Sequence, residues 1–215
     1  MWTRRNVLKT LAAGGGMVAM PAIALAQGDK PAPGANAASF AKEMLAAKFD
    51  YLSKNGNSSC SASFMRSIAS MPDDARLRGS CCSPMSLHRY GEQIEGLRKF
   101  KSAAGQNLSE IPDDPYNVEA GLAKKLLSYY DMKLSPQEQE RYDYATKNSD
   151  EKGPCCCRCW RWQVYGGLGK FLIRSHGFSG EQVTKLWDLS DGCGGEADHV
   201  SHSCARTGKD PWYLN

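Results

Sequence analysis

Three dipeptides mark places where this chain is built to start a helix: Ser83-Pro84, Asp114-Pro115 and Ser135-Pro136. Each sets a side-chain oxygen that can accept from free N–H groups just before a proline, whose missing N–H costs nothing in the first helical turn. Glu138 lies three residues beyond Ser135 and completes the pattern of a capping box. Apolar residues then recur at helical spacing, as in Val118, Leu122, Leu126 and Tyr129, or Leu87, Ile94 and Leu97. No run of alternating β-branched residues competes with these signals. The pattern predicts an all-α single domain of about seven helices, near 40–54, 61–71, 84–101, 115–130, 136–147, 155–174 and 180–189.

The first 26 residues stand outside that pattern. Thr3-Arg4-Arg5-Asn6-Val7-Leu8-Lys9 leads into a weakly apolar, Ala- and Gly-rich stretch from Leu11 to Leu25, and Ala24-Leu25-Ala26 has the form of a cleavage site. The arrangement resembles a twin-arginine (Tat) export signal, with Val7 where that family usually has Phe. The resemblance implies the Tat machinery as a partner and a periplasmic or other extracytoplasmic destination. It also implies a protein exported already folded, often with a metal or cofactor in place. Gly14-Gly15-Gly16 and Pro21 interrupt the apolar stretch, so no stable membrane span is expected after cleavage. Residues 27–38 carry two Pro and two Gly without a bulky apolar group and read as a flexible linker to a helical domain over 39–215.

Charge supports that division. The whole chain has 27 Lys+Arg and 23 Asp+Glu. Arg4, Arg5 and Lys9 lie in the first 26 residues, which contain no acid, so the remainder has 24 basic and 23 acidic side chains. Without a concentrated basic surface the phosphate-neutralising contribution to nucleic-acid affinity is missing, and no nucleic-acid partner is expected.

All nine cysteines follow residue 26. Cys60 precedes the segment Ser61-Ala62-Ser63-Phe64-Met65, Cys81-Cys82 precede Ser83-Pro84, and Cys155-Cys156-Cys157-Arg158-Cys159 follow Gly153-Pro154. Seven thiols are thereby expected at or near helix N-termini, where the positive end of the dipole favours thiolate. On a helix over 155–174, Cys155 and Cys156 share a face with Cys159, while Cys157 aligns with Trp160 and Val164 toward the core. Cys193 and Cys204 bracket His199 and His202 in a Gly-rich segment. Candidate ligands are therefore Cys60, Cys81, Cys82, Cys155, Cys156, Cys159, Cys193 and His199. A thiolate-bound metal is expected, with iron–sulfur, zinc and copper all compatible, since C-C-C-x-C matches none of the familiar spacings. In broad features the chain is similar to small Tat-exported iron–sulfur proteins and to helical, Cys-lined copper-storage proteins, without the CxxxC ladder of the latter.

Three functional readings stay open at this point. One is an exported metal-binding or redox protein with a thiolate/His site and a redox or metal-delivery partner. The second is a thiol-redox enzyme with a low-pKa Cys. The third is a helical binding protein stapled by disulfides, because export exposes thiols to an oxidising space. An odd cysteine count leaves at least one unpaired within the chain, and adjacent cysteines do not readily bridge each other.

Other residues have plainer expected roles. His88 follows Cys81-Cys82 by about a turn and is as well explained as a surface helix residue. His176 precedes Gly177 at a helix end, where it favours the dipole. Gly166-Gly167-Leu168-Gly169-Lys170 fails as a phosphate loop, because Val164 and Phe171 occupy required Gly and Ser/Thr positions. Its glycines are expected to let helices approach closely. Trp160, Trp162, Tyr165, Met65, Met71 and Met85 read as packing residues.

Overall fold

The computed structural model describes residues 33–105 and 108–193, with side chains from residue 38 onward. Seven α-helices are present among them: α1 Pro33–Lys54, α2 Ala62–Ser67, α3 Leu87–Ala104, α4 Ala120–Ser128, α5 Pro136–Asn148, α6 Trp160–His176 and α7 Gly180–Ser190. A 3₁₀ turn, Ile68–Ser70, continues α2. The fold is all-α apart from a two-stranded antiparallel ribbon, β1 Arg76–Arg78 with β2 Asn117–Glu119, in which Leu77 faces Val118. Three residues per strand are too few to leave an alternating signature in the sequence.

Of the three cap-then-Pro signals, only Ser135-Pro136 starts a helix. The Ser135 hydroxyl accepts from Glu138 N, and the Glu138 carboxylate accepts from Ser135 N at 2.7 Å. The second start lies three residues later than the dipeptide suggests. Ser86 caps α3, while Ser83 donates its hydroxyl to the Cys193 carbonyl at 2.7 Å. The third is taken by a turn: Asp114 accepts from Tyr116 N and from the Tyr90 hydroxyl, each at 2.8 Å, and α4 begins only at Ala120. At the N-terminal side, α1 starts at Pro33, inside the segment read as linker. Residues 1–26 lie outside the described residues.

α6 is the central helix. Ten of its residues are buried, from Trp160 to Ile173, and on that account it is apolar over most of its circumference. α4, α5 and α7 pack on it, and α5 and α3 pack on α7. The core runs through Leu97, Phe100, Leu126, Val164, Leu168, Leu172, Val183 and Trp187. A smaller cluster of Leu52, Tyr90 and Tyr116 fixes α1 to α3. The expected packing roles hold for Trp160 and Tyr165, both buried, and for Met65 and Met71, which pack against the core. Gly177 closes α6 with φ of 68°, as its place after His176 suggests.

The α6 glycines serve helix approach. A Cβ on Gly167 would stand 2.0 Å from the Leu126 carbonyl oxygen, a backbone atom of α4 that cannot give way without moving the helix. Gly167→Ala gains about 1 kcal/mol of helix propensity, but the clash in a filled interface costs more, so the net expected loss is about 2 kcal/mol. For a domain of this size that lowers Tm by roughly 4–8 °C, measurable by thermal circular dichroism, and an unchanged or higher Tm would show that α4 and α6 have slack.

Candidate metal centre

Four loops meet at one end of α6. The first joins α1 to α2 and carries Cys60, one residue before Ser61, the N-cap of α2 whose hydroxyl accepts from Phe64 N at 3.2 Å. The second joins β1 to α3 and carries Cys81 and Cys82. The third leads from α5 into α6 and carries Cys155, Cys156 and Cys157, with Cys159 as the N-cap of α6. The fourth follows α7 and carries Cys193.

Backbone bonds hold these loops together. The Cys193 carbonyl accepts from Ser83 N at 3.0 Å and from the Ser83 hydroxyl, and Cys193 N donates to Asp191 Oδ1 at 3.2 Å. Gln93 donates to the Asp191 carbonyl at 2.6 Å, which anchors this loop to α3. The Cys60 thiol donates to the Cys81 carbonyl at 3.4 Å, which links the first two loops.

The sulfurs consequently crowd together. Cys60 Sγ lies 3.1 Å from both Cys82 Sγ and Cys157 Sγ, and Cys82 Sγ lies 3.5 Å from Cys157 Sγ. Cys155 Sγ is 3.2 Å from Cys193 Sγ and 4.0 Å from Cys157 Sγ. Cys81 Sγ is 3.8 Å from Cys82 Sγ and 4.0 Å from Cys159 Sγ, and Cys156 Sγ is 2.9 Å from Cys193 Sγ. Seven of these cysteines are thiols, not disulfides: Cys60, Cys81, Cys82, Cys155, Cys157, Cys159 and Cys193. A disulfide would need sulfurs about 2.05 Å apart, and none joins any two of the seven. Four thiolates around one ion, each about 2.3 Å from it, stand about 3.8 Å from one another in a tetrahedron. The observed spacings bracket that value.

Of the expected ligands among the described residues, Cys60, Cys81, Cys82, Cys155, Cys159 and Cys193 bring thiols to the cluster. Cys156 also lies there, 2.9 Å from Cys193 Sγ, but its sulfur is held in a disulfide and is not a thiol ligand. His199, with His202 and Cys204, lies outside the described residues. His88 turns away, exposed, with Nε2 3.3 Å from Glu92. The assignment of thiols to helix N-termini needs correction. Only Cys60 and Cys159 flank a helix start, and residues 155–159 form a loop instead of a first helical turn. What assembles the thiols is loop convergence, with the helix dipole a minor contributor.

Two residues central to the site escaped the sequence reading. Cys157 was assigned to the core on the premise of a helix through 155–174; in the loop it faces Cys60, Cys82 and Cys155 instead. The missing apolar periodicity between Pro154 and Trp160 was the available signal. The other is Arg161, fully buried on α6. Its guanidinium donates to the Gly79 carbonyl at 2.8 Å and to the Pro115 carbonyl, and stacks 4.5 Å from the Trp160 ring. Gly192 makes room for it, since a Cβ there would fall 2.2 Å from Arg161 Cζ. Among the described residues Arg161 makes no ion pair with a carboxylate, and its Nε has no hydrogen-bond partner. Its spacing three, seven and eleven residues before Val164, Leu168 and Leu172 put it on the core stripe, a visible clue to a buried charge.

The electrostatics are mutual. Burial by itself would lower the Arg161 pKa, but the negative charge available at Cys81, Tyr165, Cys155 and Cys159 more than offsets it and holds the guanidinium firmly protonated. Hydrogen bonds from Cys155, Cys157, Cys159 and Cys193 push the Cys81 thiol below the usual range, and those from Cys155, Cys159, Cys193 and Cys60 do the same to Cys157. The donors move the other way, Cys60, Cys155 and Cys193 all being raised. Such a cluster shares protons and releases them when a cation arrives.

The chain matches no protein-family model, no curated protein and no solved structure. Function must therefore be read from the sulfurs themselves.

Burial orders the thiols by access, from exposed Cys82 through half-buried Cys60, Cys81 and Cys157 to buried Cys155, Cys159 and Cys193. Brief alkylation of the reduced, metal-free protein under anaerobic conditions is expected to label Cys82 first and the three buried cysteines last, as read by peptide mass spectrometry. Early labelling of Cys155 or Cys193 would show that the loops open readily.

Proposed function

We propose that this chain is an exported metal-binding protein whose thiolates hold a soft ion, zinc or copper(I), by direct sulfur ligation. The observation that carries the reading is that cysteine thiols from separate loops form sets of four, Cys60, Cys81, Cys82 and Cys157 being one, with all sulfurs within 4.8 Å of one another. Thiolate is the preferred donor for both ions. Arg161 supports the reading independently. A buried guanidinium without an ion-paired carboxylate is costly unless negative charge lies nearby, and a metal–thiolate centre with more thiolates than metal charge adds to what the buried Asp191 supplies.

The spacing favours a single ion per sulfur set over an iron–sulfur cluster. In a 4Fe–4S cluster each cysteine binds its own iron, and in a 2Fe–2S cluster the four cysteines divide into two pairs on separate irons with inorganic sulfide between them, so four cysteine sulfurs do not all gather around one point as they do around one shared ion. A closed set of four sulfurs also leaves no coordination position for a substrate, which argues for holding metal over catalysis at it. Cys82 and Cys60, at the exposed edge, give an ion a route in and out. On the strength of the Tat-like signal at residues 1–26, we place the protein outside the cytoplasm, exported folded, with a metal-delivery protein as its natural partner.

The test is metal analysis and a free-thiol count on protein purified anaerobically. Stoichiometric zinc or copper is expected, with tetrahedral, sulfur-rich d–d and charge-transfer absorption after replacement by cobalt(II). Because every ligand must lose a proton to bind, acidification should release the ion. Metal at 1,000 times Kd should stabilise the fold by about 4 kcal/mol. Protein that binds none of these ions and oxidises pairwise to disulfides would instead support the thiol-redox reading.

A further inference from the structure

The sets of four sulfurs are not independent. Cys60, Cys81, Cys82 and Cys157 form one, and Cys81, Cys155, Cys157 and Cys193 form another. Both consist only of cysteine thiols, and they share two members, Cys81 and Cys157. A third set, Cys82, Cys156, Cys157 and Cys193, includes Cys156, which is held in a disulfide. Two tetrahedral ions require eight sulfur positions, and six thiol sulfurs fill them only when two serve both ions. The two overlapping sets have that composition.

We infer that the centre is binuclear: two soft metal ions share the Cys81 and Cys157 thiolates as bridges, with Cys60 and Cys82 completing the outer ion and Cys155 and Cys193 the inner one. This rests on the thiolate-centre reading above and specifies its stoichiometry and wiring. Each bridging residue belongs to a different loop, Cys81 to that before α3 and Cys157 to that before α6. The two ions would thus lock all four loops into one unit. Cys159, 4.0 Å from Cys81 and outside both sets, remains a seventh thiol beside the centre.

Burial makes the ions unequal. The outer ion has exposed Cys82 and half-buried Cys60 as its private ligands, whereas the inner ion has Cys155 and Cys193, both buried. The outer ion should exchange first and the inner ion should persist. With divalent ions such as zinc, six deprotonated thiols and two ions carry a net charge of two minus, half of which the buried Arg161 guanidinium can balance.

Anaerobic titration of the reduced full-length chain with cadmium-113 tests this directly. Two ions per chain are expected, giving two NMR resonances coupled to each other through the shared sulfurs. Cys82→Ser, at an exposed position, should lose or weaken only the outer ion and retain one resonance. Cys157→Ser should disturb both resonances and weaken the coupling, which the Cys81 bridge alone would then carry; far-ultraviolet circular dichroism of each metal-free variant keeps a folding defect separate from a binding defect. One ion per chain, two uncoupled resonances, or a Cys157→Ser variant that folds and behaves like Cys82→Ser would overturn the binuclear centre while leaving a thiolate metal site standing. No bound cadmium at all would bring down both.

Discussion

A guanidinium enclosed on every side, bonded to two backbone carbonyls and held charged by the negative charge available at nearby cysteines, ties the helical core to the sulfur cluster. Arg161 sits in the first turn of α6, the helix around which the domain packs, and its two carbonyl partners belong to the segments that follow β1 and precede β2. The ribbon, the turn at Asp114 and the loop that carries Cys81 and Cys82 are thus positioned from the same side chain. Removing a charge of this kind leaves buried carbonyls without donors, and leaving it without compensating negative charge is costly in a medium of low polarity. The thiols, together with the buried Asp191 carboxylate, are the compensating groups the structure offers.

Metal and fold are coupled in this arrangement. The loops are joined by a handful of hydrogen bonds, chiefly those of Ser83 and Asp191 with the Cys193 backbone. Ions bound across them would serve as cross-links between segments more than a hundred residues apart in the chain. The helical scaffold has its own core and does not need the ion to exist, so metal binding should tighten one end of a folded domain rather than fold an unfolded chain.

Much of the scaffold was legible from local chemistry. Helices with a cap and an apolar stripe, α5 and α7 above all, fall within one or two residues of expectation, because Ser135 with Glu138 and Ser179 with Gln182 fix their first turns. The Ser83-Pro84 and Asp114-Pro115 signals misled for a common reason. Their side chains were claimed by tertiary partners, the Cys193 carbonyl for Ser83 and the Tyr116 amide and Tyr90 hydroxyl for Asp114. That the cysteines form one candidate ligand set was legible from their clustering before expected helix starts, although they prove to stand in loops; which of them would stand at the centre was not. Treating 155–159 as helical put Cys157 on the wrong face, because in the loop that precedes Trp160 no helical periodicity governs where its side chain points. Arg161 shows the complementary limit: a charged residue on a core stripe is visible in sequence, whereas its carbonyl and sulfur neighbours come from segments that only the fold brings near.

The measurement that bears most directly on the thiolate centre is X-ray absorption at the metal edge of anaerobically prepared, zinc-loaded protein. A first shell of about four sulfurs at about 2.3 Å is the expected result. A shell dominated by nitrogen or oxygen at about 2.0–2.1 Å, or zinc that washes away on gel filtration, would contradict it.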